Sequence, residues 1–352
     1  LKKFPGFVDY SDNINDPYER YYGNNDVRGP DSDHGTHVAG IIGSVGDNSL
    51  GVTGINWTVK LMAVKVLDKD GSGDVSDIVG GIDYAIKNGA KIINMSLEAP
   101  EGTPYIYSLK DAIISARDSN ILVVCAAGNG GADHIGDNLN NINIYPASFK
   151  LENIIAVAAT NSSDSLGYYS NYGTNVVHLA APGSGIYSTQ SRLAPGFKNY
   201  STAYFYETGT SMASPMVAGV AGLLLSKNSG YGYKELKELI LASVDKLNLP
   251  VITGGRLNAQ RALTLDLTTL PPLKPENFSL AKPLTAGQPI ELQWYDLSSV
   301  EAGYRIERNL KNTGFSFLVD LLANTAKYTD NTAILNEGDR VSYKLYAYNN
   351  NG

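Results

Sequence analysis

Five short apolar runs rich in β-branched residues, at 61–67, 92–97, 121–126, 154–159 and 176–180, recur along the first half of this chain with helical stretches between some of them. Runs of that length without a polar face are what strands buried on both sides require. Between them, 77–87 repeats Ile78, Ile82, Ala85 and Ile86, and 109–116 repeats Leu109, Ala112, Ile113 and Ala116, each at the spacing of a helix with one apolar stripe. The alternation implies an α/β fold: a doubly wound, mostly parallel sheet with helices on both faces. Two further helices are expected, 211–225, apolar almost all round and so buried, and 233–243, with Lys and Glu on its outer face. Residues 1–33, rich in Asp, Asn, Gly, Tyr and Pro and without a period, read as an extended surface loop.

The pattern changes at Leu270-Pro271-Pro272-Leu273-Lys274-Pro275, a stiff linker that no helix can cross. Beyond it, 290–294, 304–308 and 343–348 alternate inward and outward residues between turn signals, as in a small antiparallel β-sandwich. The expected division is therefore a domain at 1–265, a linker at 266–275 and a sandwich at 276–352.

Composition narrows the classes of function. With 43% hydrophobic and 18% charged residues the chain is neither disordered nor a coiled coil. Lys plus Arg number 28 against 35 Asp plus Glu, a net charge of −7, and no basic cluster could follow a phosphate backbone, so nucleic acid is not an expected partner. No apolar run reaches the length of a membrane span, and Leu1-Lys2-Lys3 does not open a signal peptide. One cysteine, Cys125, excludes an intramolecular disulfide and reads as a core residue.

Four separated motifs carry chemistry. Asp33-His34-Gly35-Thr36-His37-Val38-Ala39-Gly40 sets a histidine before an apolar, small-residue stretch able to open a buried helix. Asn94-Met95-Ser96-Leu97 ends a strand. Ala126-Ala127-Gly128-Asn129 ends another, where glycine lets the backbone turn and asparagine offers an amide donor. Gly209-Thr210-Ser211-Met212-Ala213-Ser214-Pro215 places a serine at the start of a buried helix, whose dipole favours developing negative charge. Taken singly, each has a plain structural reading: a cap, a turn, or a packed histidine.

Together, and in this order, they resemble the subtilisin-like serine proteases over residues 1 to about 265, closing on Gly255-Arg256-Leu257-Asn258-Ala259. The resemblance implies Ser211 as nucleophile, His34 as general base, and Asn129 with the Ser211 N–H as donors to the oxyanion. It implies that an extended protein or peptide substrate is held by main-chain hydrogen bonds between two strand edges, Gly71-Ser72-Gly73 and Ser96-Leu97, bordered by Ala127 and Gly128. Glu98 departs from the small glycine usual in the family, and either narrows the pocket rim, favours basic side chains, or is a solvated carboxylate. It also implies structural calcium in a loop, with Gly46, Leu50 and Val52 giving backbone carbonyls and Asn48 its side-chain oxygen. His37 would face the interior as a packing residue, while His134 and His178 lack metal-ligand spacing.

The family's catalytic Asp lies on a strand upstream of the histidine. Asp9, Asp12, Asp16, Asp26, Asp31 and Asp33 all fall in loop-like sequence, and Leu1-Lys2-Lys3 resembles the segment just after that strand in relatives. The expectation is that the acid lies ahead of this sequence and that the 352 residues alone are inactive. The tail, with Trp294, Tyr304 and Tyr346-Ala347-Tyr348-Asn349, resembles an incomplete fibronectin type III module, expected to bind a surface or another domain. An extracellular serine endopeptidase is the leading expectation, and a catalytically inactive binding or adhesion protein is its rival.

Overall fold

The computed structural model describes residues 8–9, 34–68, 70–190, 204–281, 285–333 and 335–352. Two compact units divide the chain, Leu1–Leu263 and Thr264–Gly352.

In the first unit the strands run β1 (Val8–Asp9), β2 (Val64–Lys65), β3 (Ile92–Met95), β4 (Ala99–Pro100), β5 (Leu122–Ala126) and β6 (Ile144–Tyr145), then β7 (Ile154–Thr160), β8 (Leu179–Pro182), β9 (Ile186–Thr189), β10 (Tyr204–Glu207), β11 (Asp245–Lys246) and β12 (Gly255–Arg256). The helices are α1 (His34–Gly43), α2 (Val75–Lys87), α3 (Ile106–Asp118), α4 (Thr210–Lys227), α5 (Tyr233–Ala242) and α6 (Ala259–Thr264). The main sheet has the order β11-β12-β8-β7-β5-β3, parallel except for the terminal β11.

Its centre is apolar on both sides. Every residue of β5 and β7 is buried. Val123, Cys125, Ala156 and Ala158 share one core with Ile78 and Ile82 of α2 and Leu109 and Ile113 of α3. The alternate residues Val124, Ala126, Ile155 and Val157 are equally buried, and α4 packs on the sheet against β3, β5, β7 and β8. Complete burial of a side chain such as Leu109 or Ile113 contributes about 1.5–3 kcal/mol, so the α2/α3 layer holds the sheet without any disulfide.

Three expectations are corrected. The run 61–67 forms a strand only at Val64–Lys65, and the run 176–180 becomes strand only at Leu179, because it starts in a turn in which the N–H groups of Val176 and Val177 both bond to Gly173 O. Asp9, expected in a loop, lies on β1, which pairs parallel with β2 in a separate two-stranded sheet. The other aspartates of 1–33, and the loop expected there, lie outside the described residues.

The second unit has β13 (Glu276–Leu280), β14 (Ile290–Tyr295), β15 (Gly303–Leu310), β16 (Ser316–Leu322), β17 (Lys327–Asp330) and β18 (Val341–Tyr348), in two antiparallel sheets, β13-β14-β17 and β16-β15-β18. Ile290, Leu292 and Trp294 from one and Tyr304 and Ile306 from the other share a core, as period-two alternation requires.

Candidate active site

The first turn of one helix meets the segments that follow two parallel strands at Ser211. His34 is the first residue of α1 and Ser211 the second of α4, and the two helices pack through Val38, Ile41 and Met212. α1 also lies close on β9: a Cβ on Gly40 would come within 2.1 Å of Thr189 Oγ1 and 2.5 Å of Ser188 Oγ. Those two hydroxyls donate to the carbonyls of Thr36 and His37 and so fix the turn that carries His34. Burial, and then the neighbouring His37, hold His34 below its ordinary value. Among the described residues His34 receives no carboxylate partner.

Pro215 explains how Ser96 reaches this place. A proline in a helix offers no N–H to the carbonyl four residues earlier, here that of Ser211. Ser96 Oγ donates to that carbonyl at 2.9 Å and also bonds Ser214 Oγ at 2.9 Å, while Ser211 Oγ donates to Ser96 O at 3.4 Å. The stretch after β3 is thereby tied to the first turn of α4.

The stretch after β5 is tied to the same turn. Asn129 Oδ1 accepts from Thr210 N at 2.8 Å and from Thr210 Oγ1 at 3.1 Å, and Gly128 N donates to Thr210 Oγ1 at 3.1 Å. With its oxygen held, the Asn129 amide presents Nδ2 beside Gly209. A Cβ built on Gly209 would lie 3.5 Å from Asn129 Oδ1, 3.7 Å from Ser211 N and 3.8 Å from Asn129 Nδ2, so with Oδ1 engaged by Thr210 two N–H donors border one small space next to the serine. Against Gly128, Asn171 donates to Ala127 O and accepts from Gly130 N and Asp137 N. Thr210 and Asn171 were not legible as site residues. Pro215, four residues beyond Ser211, was the available signal for the Ser96 anchor.

Glu98, though exposed as a residue, turns its carboxylate over Gly128. Burial there pushes its carboxyl up, the Asn129 N–H it accepts opposes this, and the charge of Asp137 pushes it up further. Ser96, Leu97 and Glu98 are outside any strand, between β3 and β4. Gly71, Ser72 and Gly73 are not a strand edge either: Asp68 closes them into a turn, its N–H bonding Ser72 O and its carboxylate accepting Ser72 N–H.

His37 is fully buried, with Nε2 directed at Ile186 O and Phe205 O and Nδ1 3.7 Å from Glu207. His178 is buried and accepts Ala156 N–H on Nδ1, and burial holds it well below its ordinary value. Cys125 is fully buried, and burial pushes its thiol up. In the 46–52 loop, Asp47, Ser49 and Gly51 alternate with positive φ of 53°, 58° and 48°, and Asn48 Oδ1 accepts Leu50 N–H at 3.0 Å. Any ligands offered by Gly46, Leu50 and Val52 would be backbone carbonyls and by Asn48 its side-chain oxygen, all neutral. Among the described residues no group of three His, Cys, Asp or Glu side chains could hold a metal.

Strand ends, paired helix starts, a serine, a histidine and converging N–H donors define a subtilisin-like serine peptidase domain. The chain belongs to the Subtilase family, whose profile matches residues 4–262. It is 39% identical over 230 residues to subtilisin DY of Bacillus licheniformis, covering 65% of this chain and 77% of that protein. It is 40% identical over 235 residues to thermitase of Thermoactinomyces vulgaris, covering 65% and 74%. The match to the cell wall-associated protease of Bacillus subtilis strain 168 is 39% over 235 residues, 67% of this chain but only 24% of that protein. Among solved structures, a protease of Pseudoalteromonas arctica PAMC 21717 superposes with a TM-score of 0.55 at 32% identity, over 65% of this chain and 70% of that one. A cold adapted subtilisin-like serine proteinase gives 0.52 at 33% identity, over 64% and 73%.

Proposed function

We propose that the chain is a serine endopeptidase that cleaves peptide bonds through an acyl-enzyme on Ser211. The observation that carries the reading is the small space beside Gly209, bordered by Ser211 N and Asn129 Nδ2. His34 takes the proton of Ser211 Oγ as that oxygen attacks the substrate carbonyl, and the two N–H donors hold the resulting oxyanion. His34 then gives the proton to the leaving amine. A water, deprotonated by the same histidine, cleaves the ester and restores the serine. Main-chain groups of Ser72, Gly73, Ser96 and Leu97, with Ala127 and Gly128, border the peptide. Replacing Asn129 by Leu tests this: kcat should fall far more than KM rises, and equal effects on both would contradict an oxyanion contact.

The acid of the triad is assigned to a strand ahead of Leu1, seated between β2 and β3. Three observations support it. β1-β2 is separate from the main sheet, of which β3 is an end strand. Val66 beside β2 and Ile93 on β3 nevertheless pack on the same core. Asn94, on β3, keeps Oδ1 buried without a partner among the described residues.

The oxygens of Gly46, Asn48, Leu50 and Val52 would hold a structural calcium ion, which supplies rigidity and no chemical step. The second unit reads as a fibronectin type III-like sandwich that docks on a surface or another domain, supported by its two antiparallel sheets. An extracellular place is supported by the cell wall-associated relative.

A further inference from the structure

A peptide whose carbonyl oxygen meets Asn129 Nδ2 and Ser211 N–H must set the side chain of that same residue, the acyl residue, against whatever flanks those donors. Two segments do so: 96–98 after β3, tied to Ser211 through Ser96, and 127–129 after β5, tied to Thr210. Glu98 spans them. A Cβ on Gly128 would fall 2.3 Å from Glu98 Oε2, so the carboxylate lies directly over the Gly128 backbone, one residue from the oxyanion donor. Asn171 Nδ2 lies on the same side of Gly128, 2.4 Å from that Cβ, and the other neighbours of the carboxylate are the N–H of Asn129 and the like charge of Asp137. Neither carboxylate meets a cation among the described residues. The wall behind them is rigid and neutral, because Asn171 spends its amide on Ala127, Gly130 and Asp137.

We propose that Glu98 makes this crevice select substrates whose acyl residue is lysine or arginine. A carboxylate partly withdrawn from water, facing another acid and lacking a counter-charge, gains more from an incoming cation than a solvated one does. A guanidinium fits its two oxygens with two parallel N–H bonds, and an ammonium with one. An apolar acyl residue would leave the carboxylate buried beneath it with the Asn129 N–H but no counter-charge. The expected preference is about ten- to a hundredfold in kcat/KM for arginine over leucine, the scale of one charge-assisted hydrogen bond.

This inference rests on the peptidase reading, so its test has an arm that needs no turnover. Using the full-length protein, kcat/KM is measured for peptides differing only in arginine, lysine, leucine or glutamate at the acyl residue, and benzamidine binding is measured by calorimetry. The expected result is the preference above, at least a tenfold loss of both the preference and benzamidine affinity in Glu98→Gln, and a gain for glutamate over arginine in Glu98→Lys. Robust cleavage with leucine preferred, unchanged by either substitution, would overturn the inference and leave the peptidase reading standing. Benzamidine binding that weakens in Glu98→Gln, without cleavage of any peptide, would uphold the cation site and overturn the peptidase reading. Loss of neither binding nor preference in Glu98→Gln overturns the role of Glu98.

Discussion

At the scale of single residues, Gly209 is where sequence and geometry meet most tightly. Its backbone is extended, with φ 164° and ψ 165°, so a side chain there is not strained. An added methyl would touch Asn129 and Ser211 N at 3.5–3.8 Å, ordinary contact distances, and would occupy the space assigned to the oxyanion. Gly209→Ala should therefore fold with an unchanged melting temperature and lose about 10²- to 10³-fold in kcat, the scale known in subtilisin for losing one oxyanion donor. Full activity in Gly209→Ala would place the oxyanion elsewhere. His34 gives a second test. Burial and then His37 hold it below its ordinary value, so the imidazole resonances of His34 in residues 1–352, followed by NMR, should titrate below pH 6.5. A carboxylate partner stabilises the imidazolium and would move that titration upward. A midpoint above pH 6.5 in residues 1–352 would mean that an acid within the chain already faces His34.

At the scale of elements, the sequence was most legible where period and burial coincide. The stripe of Ile78, Ile82 and Ala85 became the buried face of α2, and the all-apolar 211–225 became the buried α4. It was least legible where hydrogen bonds rather than burial decide. Val176 and Val177 have strand-forming side chains, yet Gly173 captures their N–H groups in a turn. Thr210 and Asn171 do their work through side-chain bonds to residues 34 to 82 positions away, which no local pattern reports. In the second unit, one buried side chain joins strands of both sheets: Asp330 on β17 accepts from Arg308 at 2.7 Å and from Tyr343 at 2.9 Å, on β15 and β18. Burial raises its carboxyl, but the bonds from Arg308, Thr332 and Tyr343 outweigh this and leave it below 3.8. A carboxylate depressed on folding contributes stability above its unfolded value and loses it as pH falls through the folded one. The second unit should therefore lose stability below pH 3.8, and Asp330→Asn should cost about 3–5 kcal/mol at pH 7 while flattening that loss. Chemical denaturation of this unit across pH checks both.

At the scale of the whole molecule, two predictions concern what joins the parts of the first unit. If a strand ahead of Leu1 fills the interval between β2 and β3, residues 1–352 alone should unfold without cooperativity and turn over no peptide. Extension upstream should restore both, because the strand brings backbone pairing and apolar surface as well as the acid. Comparable turnover by the two chains would end that assignment. If the 46–52 loop binds calcium, the ion should stabilise the protein by about 2.7 kcal/mol at a hundredfold excess over Kd. Equal melting temperatures in chelator and in millimolar calcium would remove the site.

Every chemical step in this account passes through one oxygen, Ser211 Oγ. Treating the full-length protein with a serine-directed phosphonate and mapping the adduct by mass spectrometry tests that claim most directly. The account predicts a single adduct on Ser211 that disappears in Ser211→Ala, whereas an adduct on another residue, or labelling that persists in Ser211→Ala, would contradict it.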